Sequence, residues 1–478
     1  MLLFWVILYL LFTVAIGFFA QRYVKSSGDF IQAGRSLPSF FNATALFALW
    51  FGSETVFGAS SAFLEEGLYG VIEDPFGGVL CLLLFGLFFA RKLYRLNILT
   101  IGDLYRNRFG RRIEIISGVF MLITFFGYVA AQIVALGLIL RMVTGNEMSV
   151  EVSILICASI VTLYTCIGGM WAVTITDFIQ SIFIVIGLVV VCIFMADAAG
   201  GTSNVLNSAP EGFYKFFPEN DGVEITNWFA AWLTLGLGSL ASQDIFQRVN
   251  SARSERAAVN STFIGAFLYL LLAMLPLFVA LAAKVLYPTE DFSDTQEVLP
   301  SIVIAHTPLI VQVLFFGSLL SAVLSTCSGA MLAPASILSE NLIKPLSKKE
   351  YTDKQFLWIL RLSVIVIAVI STLMGMSRNN IYELVGESSV LGAVSLFFPM
   401  VIALYAKKAS ATGAFFSMFL GMFSWIIMEF GSGWGLFDEI PVATFIPALG
   451  ISIAGYYLGK VVKIGYFESQ VQKESKLV

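Results

Sequence analysis

Three carboxylate side chains lie inside apolar segments of the sequence, where an ionisable group is unexpected. Glu54 stands in ALFALWFGSETVFGASSAF, Asp177 in CIGGMWAVTITDFIQSIFIV and Glu387 in IYELVGESSVLGAV. An ionisable side chain inside a run long enough to cross a membrane is costly, so it marks a pathway or a partnered site by default. Structural explanations compete with that interpretation: a bond to a neighbouring helix, or a side chain that reaches water at a helix end.

Hydroxyl groups cluster in GSLLSAVLSTCSGAMLAPASILSEN. Ser321, Ser325, Thr326 and Ser328 lie within eight positions, and Ser325 and Ser328, three apart, share a helix face. In membrane helices such hydroxyls often only bond back to the preceding turn or join helices together. Four of them in a bundle that also holds a carboxylate favour a site for a hard cation, which prefers oxygen ligands. We expect this cation to be sodium.

The sequence offers little for covalent chemistry. His306 is the one histidine, so a zinc site or a Ser-His-Asp triad is hard to build, and we expect neither an enzyme nor a catalytic residue. All five cysteines lie in apolar runs without CxxC spacing, which is typical of small buried side chains. A net charge of −4 argues against nucleic-acid binding. No motif indicates an obligatory protein partner.

The composition places these residues in a polytopic α-helical membrane protein. Of the 478 residues, 58% are hydrophobic and 13% are charged, about half of the roughly 25% charged share of soluble proteins. A helix needs about 20 apolar residues to cross the hydrocarbon core, and such runs predict thirteen spans in a single transmembrane domain, residues 1–478. The predicted spans are residues 2–21, 39–64, 72–90, 114–142, 150–167, 172–195, 225–246, 259–284, 308–337, 356–377, 381–405, 410–430 and 442–462.

Lysine and arginine are unevenly divided between the two sides that thirteen spans define. With the N-terminus outside, the inner segments hold 24 of the 28, and the outer side keeps Arg141, Lys215, Lys284 and Arg378. The positive-inside rule therefore predicts an outside N-terminus and a cytoplasmic C-terminus. We expect a multi-pass protein of the plasma (cell inner) membrane.

Two spans contain helix-breaking sequence at mid-depth. Gly-Ser-Glu-Thr at 52–55 and Gly-Leu-Gly-Ser at 236–239 lie five spans apart, in opposite orientation. Unwound backbone is tolerated where it lines a cavity, and two breaks in corresponding positions indicate inverted repeats around a transport site. The predicted divisions are an extra N-terminal helix (2–21), two repeats (39–195 and 225–405), two additional C-terminal helices (410–462) and a cytoplasmic tail (463–478).

Four segments resemble the solute:sodium symporter family, which includes sodium/proline, sodium/galactose, sialic acid and choline transporters. They are DFIQAGRSLP (29–38), GGMWAVTITDFIQ (168–180), QRVNSARSERAA (247–258) and AVLSTCSGAMLAPASILSENL (322–342). The second is the most specific, because it matches the family's segment ending in Thr-Asp-x-x-Gln. The resemblance implies the all-α inverted-repeat fold of five plus five core helices, with broken first and sixth core helices.

The resemblance also implies sodium ligands. The sodium site shared across the family uses carbonyls of the first core helix and a carbonyl and two hydroxyls of the eighth, which match Ala48, Phe51, Ala322, Ser325 and Thr326. Some members hold a second sodium on the aspartate of the most specific segment and on hydroxyls one turn on, which match Asp177, Ser325 and Ser328. Gly329 stands where a serine would help to complete that second set.

The solute is less well defined by the resemblance. Galactose transporters have a glutamine where Thr55 stands and a tyrosine where Gly238 stands, which weakens a sugar interpretation. Trp50, followed by Phe and Gly, resembles the choline transporters, in which an aromatic ring would contact a quaternary ammonium, but Ser242 replaces a tryptophan of theirs. A small zwitterion or cation therefore ranks above a sugar. The candidate solute contacts are Trp50, Glu54, Thr55, Gly238, Ser242 and Glu387.

The expected function is secondary active transport. Sodium would drive the symport of a small organic solute, an amino acid, a choline-like cation or a similar compound, into the cell by alternating access. The partners would be the solute, sodium and the lipid bilayer. A proton-coupled symporter on the same fold, with Glu54, Asp177 or Glu387 as the carrier, is one alternative. A channel or a membrane-embedded sensor is another, although the sequence offers local polar clusters and not a continuous polar lining.

Overall fold

The computed structural model describes residues 1–287, 295–347, 349–377, 380–436 and 440–468. Arg378 and most of the predicted tail at 463–478 lie outside these ranges. The helices are α1 (Leu2–Ala20), α2 (Ser27–Gln32), α3 (Ser39–Trp50), α4 (Ala59–Glu66), α5 (Ile72–Leu96), α6 (Ile101–Phe109), α7 (Arg111–Val143), α8 (Val150–Ala198), α9 (Thr202–Asn207), α10 (Gly222–Gly238), α11 (Gln243–Asn250), α12 (Glu255–Leu286), α13 (Val298–His306), α14 (Leu309–Ser347), α15 (Asp353–Ser377), α16 (Ile381–Tyr405), α17 (Ala411–Phe430) and α18 (Phe445–Val462).

Ten helices in the described ranges are long and apolar enough to cross a membrane. They are α1, α5, α7, α8, α12, α14, α15, α16, α17 and α18. Each matches or exceeds the roughly 20 residues that a hydrocarbon core requires, within a few residues. The prediction of an all-helical, multi-pass membrane protein is confirmed at this level.

The chain leaves the helical path directly after α3. Phe51 has φ −85° and ψ 68°, and the turn Glu54–Gly58 is wound as a π-helix before α4 begins. α3 and α4 are therefore two parts of one interrupted helix, at the Gly-Ser-Glu-Thr sequence that predicts a break. An interruption of this kind leaves main-chain oxygens without partners in their own helix.

A second interruption separates α10 from α11. A 3₁₀ turn covers Ser239–Ala241, and Ser242 is extended (φ −85°, ψ 135°) before α11 begins. Gly238, the last residue of α10, packs directly on α16, because a Cβ at this position would lie 2.2 Å from the carbonyl oxygen of Ser389. The second break thus brings the backbones of α10 and α16 together.

The 49-residue helix α8 turns sharply at Gly169, which has φ 51° and ψ −146°. A Cβ there would lie 2.5 Å from the ring of Phe30 in α2, so both the space and the dihedral angles require glycine. The turn falls between residues 167 and 172, where the sequence predicts the end of one span and the start of the next.

The interrupted helices lie at the centre of the bundle. α3 packs against α8, α12 and α14, and α14 also contacts α7 and α8. α10 packs against α5 and α16, and α16 packs against α7. α1 lies on α8 and α14, while α17 and α18 pack mainly against each other. Both breaks are thereby surrounded by other helices.

Candidate functional site

The carbonyl end of α3 lies against two hydroxyls of α14. Ser325 Oγ is 3.3 Å and Thr326 Oγ1 is 3.0 Å from Ala48 O, and Thr326 Oγ1 is also 3.2 Å from Ala322 O. These four residues are fully buried. The structure therefore brings four of the five predicted sodium ligands together.

Phe51, the fifth predicted ligand, stands at the break itself, and its non-helical ψ takes its carbonyl out of the helical ladder. A Cβ at the neighbouring Gly52 would lie 2.9 Å from Thr326 Oγ1 and 2.7 Å from Glu54 Oε2. Only glycine allows the unwound chain to pass this close to α14. The break and the hydroxyl pair are therefore in direct contact.

The spacing of these oxygens suits a cation of moderate size. In an octahedral shell with oxygens about 2.4 Å from the ion, within the range for the similarly sized calcium ion, neighbouring oxygens are about 3.4 Å apart. The separations here, 3.0 to 3.3 Å, are those of direct hydrogen bonds from the hydroxyls to the carbonyls, so a small outward shift of these oxygens would give that spacing. Uncharged carbonyl and hydroxyl oxygens also suit an ion that must be released again.

Asp177 in α8 joins this cluster from one side. Its Oδ1 accepts a hydrogen bond from Ser325 Oγ at 2.5 Å, and its Oδ2 pairs with the guanidinium of Arg248 at 3.3 Å. Ser328 donates to the carbonyl of Ser325, at 3.0 Å. Of the candidate second sodium set, Asp177 and Ser325 meet directly, whereas the hydroxyl of Ser328 is bonded within its own helix. In the structure, the positive charge beside Asp177 is the guanidinium of Arg248.

Arg248 reaches Asp177 from α11 and is itself buried, with 1% of its side chain exposed. Its Nε donates to Ala45 O at 3.0 Å, and its guanidinium lies directly over Gly329. A Cβ at Gly329 would stand 2.2 Å from the nearest guanidinium nitrogen. The glycine that departs from the family's second sodium set therefore makes room for an arginine.

Gly329→Ala is expected to destabilise the protein by about 1–3 kcal/mol, because the added methyl group overlaps a buried guanidinium that its ion pair holds in place. Thermal unfolding of the purified protein measures this loss. Gly317→Ala is the matched control, since it lies on the same helix and its new Cβ would meet no atom within 4 Å. It should be neutral or slightly stabilising, because alanine favours helix over glycine. Equal stability of the two variants would contradict the placement of Arg248.

A cavity lies between the two breaks. Four of the predicted solute contacts, Trp50, Glu54, Gly238 and Ser242, line it. The remaining walls are mainly apolar and aromatic with a few polar groups, which is typical of small-molecule sites. They include Phe125, Tyr128, Leu235, Asp244, Ser388 and Ser389.

The other two predicted contacts lie outside that lining. Thr55 faces α5 and α12, where its hydroxyl lies 3.0 Å from Asp74 Oδ2 and 2.7 Å from Tyr269 Oη. Glu387 lines a separate cavity, together with Glu73. Thr55 therefore stabilises the packing behind the break, and Glu387 belongs to a different surface.

Glu54 is held by Gln132 of α7. Gln132 Nε2 donates to Glu54 Oε2 at 2.8 Å, and Gln132 Oε1 accepts the amide hydrogen of Ser53 at 3.0 Å. Tyr128 Oη is 3.5 Å from Glu54 Oε1. Within the described ranges no lysine or arginine pairs with this carboxylate. Gln132 thus ties the interrupted helix to α7 and fixes the carboxylate at the wall of the cavity.

Three polar residues around the first break and the cavity were not predicted from the sequence: Asp74, Asp244 and Gln132. Asp74 accepts hydrogen bonds from Thr55 and Tyr269, and Asp244 lines the central cavity. Glu54 was selected because it is a carboxylate inside a predicted membrane span. Both acids meet the same criterion, since they lie within the predicted spans 72–90 and 225–246. Both lie near the ends of those spans, where a charged side chain can also reach water.

Solved structures share this fold. A sodium-coupled sialic acid symporter in a substrate-bound outward-open state superposes with a TM-score of 0.82 at 17% identity, covering 96% of each chain. Mhp1, a nucleobase-cation-symport-1 family transporter, in a closed conformation gives a TM-score of 0.61 at 17% identity, covering 92% of this chain and 95% of that one. At these identities the likeness concerns the fold alone. This chain therefore shares the fold of these two transporters.

Comparison of the sequence with known families identifies the family of the chain. The model of the sodium:solute symporter family matches residues 30–421, so the chain belongs to this family. The human high affinity choline transporter 1 is 26% identical over 438 residues, 87% of this chain and 75% of the relative. The high-affinity proline transporter PutP of Bacillus subtilis (strain 168) is 26% identical over 462 residues, 92% of this chain and 95% of the relative. The predicted family is confirmed. Because the members of this family are transporters, the prediction of a transporter and not an enzyme is confirmed as well.

Proposed function

We propose that this protein is a sodium-coupled symporter that carries a small organic solute, an amino acid, a choline-like cation or a similar compound, into the cell by alternating access. The contact between the carbonyl end of α3 and the hydroxyls of Ser325 and Thr326, beside a cavity lined by both breaks, carries this proposal. An ion at that contact and a solute in that cavity would bind to the same interrupted helix.

The proposed sodium ligands are the carbonyl oxygens of Ala48, Phe51 and Ala322 and the hydroxyl oxygens of Ser325 and Thr326. Asp177 supports the set from behind, because its carboxylate accepts the hydroxyl hydrogen of Ser325 and leaves the lone pairs of that oxygen for the ion. A second sodium at Asp177, Ser325 and Ser328 stays a prediction. It would have to share Asp177 with the guanidinium of Arg248.

Coupling would follow from shared helices. Sodium would tie α14 to the end of α3 and so fix the walls against which the solute binds. Because each ligand then stabilises the same state, each raises the affinity of the other. Transport would follow when the bundle rocks against its scaffold and opens the cavity to the cytoplasm.

The proposed architecture has thirteen crossings. The interrupted pairs α3–α4 and α10–α11 each count as one. α8 counts as two, since 49 residues at about 1.5 Å each would exceed twice the roughly 30 Å hydrocarbon core. The proposed inverted repeats are 39–195 and 225–405, flanked by the helix at 2–21 and the pair at 410–462, with a cytoplasmic tail at 463–478.

Uptake into proteoliposomes tests the function. A panel of labelled amino acids, amines and choline-like cations would be offered with an inward sodium gradient, with an inward proton gradient, or with neither. We expect accumulation of at least one solute with the sodium gradient alone. Accumulation with the proton gradient and none with sodium would contradict the proposal and favour proton coupling through a buried carboxylate such as Glu54.

The proposed orientation predicts the accessibility of two introduced cysteines. Asn220→Cys, in the segment between α9 and α10, should react in intact cells with an impermeant thiol reagent added outside, because this segment follows the sixth crossing. Ser347→Cys, at the end of α14, should react only after the cells are opened. The parent protein gives the background of the five native cysteines. The reverse pattern would contradict the count of thirteen and the position of the termini.

A further inference from the structure

Two carboxylates face the central cavity from opposite interrupted helices. Glu54 follows the first break, Asp244 follows the second, and they are 2% and 4% exposed. The described lining contains no lysine, arginine or histidine. Arg248, one turn after Asp244, is paired with Asp177. Buried charge without compensation is strongly unfavourable, so an occupant that brings positive charge would stabilise these carboxylates in their ionised form.

The existing hydrogen bonds use one oxygen of each carboxylate. Glu54 Oε2 accepts the 2.8 Å bond from Gln132, while Oε1 has only the 3.5 Å contact with the tyrosine of α7, at the outer limit for a hydrogen bond. Asp244 Oδ1 accepts from the hydroxyl of Ser242 and from the amide of Ile245. Glu54 Oε1 and Asp244 Oδ2 therefore remain as acceptors for a ligand.

Trp50 gives an independent indication of a ligand. It lines the cavity, is 6% exposed, and its indole nitrogen finds no hydrogen-bond partner in the described part of the chain. The opposite edge of the indole packs on Gly78, whose Cβ would stand 2.9 Å from it, so the N–H edge is turned the other way. A buried donor without an acceptor is unfavourable. An occupant that placed an oxygen acceptor at this edge would satisfy the indole N–H.

We propose that the solute is a protonated primary or secondary amine that donates N–H hydrogen bonds to Glu54 and Asp244 and carries an oxygen acceptor for Trp50. This rests on the proposed function, because it assigns the central cavity to the solute. Hydrogen bonds between an ammonium group and a carboxylate are among the strong ones. A quaternary ammonium could still contact the aromatic walls, but it has no N–H to donate, and a neutral solute would leave both carboxylates uncompensated.

Ligand-induced thermal stabilisation of the purified full-length protein in nanodiscs tests the proposal, in sodium chloride and in potassium chloride. The probes are amines of three to ten carbons with a hydroxyl or carbonyl group, each matched with its trimethylammonium analogue and its uncharged alcohol. We expect an amine to stabilise in sodium, and both of its matched analogues to bind at least tenfold more weakly. A quaternary, neutral or anionic compound as the best ligand, or no ligand among the amines, would overturn it.

The two carboxylates are tested separately by substitutions that keep their size. Glu54→Gln and Asp244→Asn should each weaken amine binding by about 10- to 150-fold, because a neutral amide oxygen accepts a weaker hydrogen bond from an ammonium group than a carboxylate does. Glu429→Gln, a carboxylate of the separate cavity, is the matched control and should bind as the parent does. Stabilisation by sodium without solute shows that each variant is folded. Parental amine affinity in both variants would overturn the inference, whereas a parent protein that responds equally to sodium and potassium would overturn the proposed symport.

Discussion

Thr326→Ala and Ser325→Ala are each expected to raise the sodium concentration needed for half-maximal solute binding by about 5- to 150-fold. Each deletes one oxygen from the proposed shell of about five or six around a hard cation, and a loss of roughly 1–3 kcal/mol gives that range. Ser325→Ala should lie at the upper end. Its hydroxyl also donates to Asp177 at 2.5 Å, so its removal leaves a buried carboxylate oxygen without a donor.

Solute affinity at fixed, sub-saturating sodium should fall in both variants, and excess sodium should restore it, because the coupling is reciprocal. Ser321→Ala is the control. This serine lies one turn earlier on the same helix, and its hydroxyl bonds to Gly317 O and to Tyr9 of α1 instead of to the carbonyl end of α3. Solute binding across a sodium titration measures all three variants. A parental sodium dependence in both Thr326→Ala and Ser325→Ala would contradict the proposed sodium site and favour proton coupling.

Local sequence was sufficient to predict where the main helices break. Glycine lowers helix stability and admits close contacts, and this is what Gly52 and Gly238 do in the structure. The kink of α8 follows the same logic at Gly169. Each of these features depends on a few neighbouring residues, so a short stretch of sequence contains the necessary information.

Contacts between distant segments were not predictable in this way. Thr55 was expected at the solute, but its hydroxyl bonds to Asp74 and Tyr269, and only the packing of α5 and α12 around the break decides this. Arg248 was counted with the cytoplasmic cations because it lies just after the predicted span 225–246, yet it is buried against Asp177, 71 residues away in sequence. Charge counts along a chain cannot distinguish a solvated arginine from one that neutralises a carboxylate inside the bundle.

Arg248→Met is expected to destabilise the folded protein by about 3–5 kcal/mol, because it leaves a fully buried carboxylate without its cation. Methionine replaces much of the volume of the arginine but not its charge or its bond to the carbonyl of Ala45. Thermal and denaturant unfolding in nanodiscs measure the loss. Arg253→Met, on the same segment but exposed, is the matched control and should change stability little.

The double variant Asp177→Asn with Arg248→Met should recover most of that stability, since no unpaired charge remains and the amide oxygen of asparagine still accepts the hydroxyl of Ser325. If little is recovered, the ion pair is not the source of the effect. The sodium titration of the double variant then separates the two roles of Asp177. A carboxylate that serves Arg248 can be removed together with it while the sodium requirement for solute binding stays near the parental value, which is the result we expect. If Asp177 also binds a second sodium ion, its removal would change the sodium requirement. The double variant would then need more sodium for solute binding and would couple fewer sodium ions to each solute.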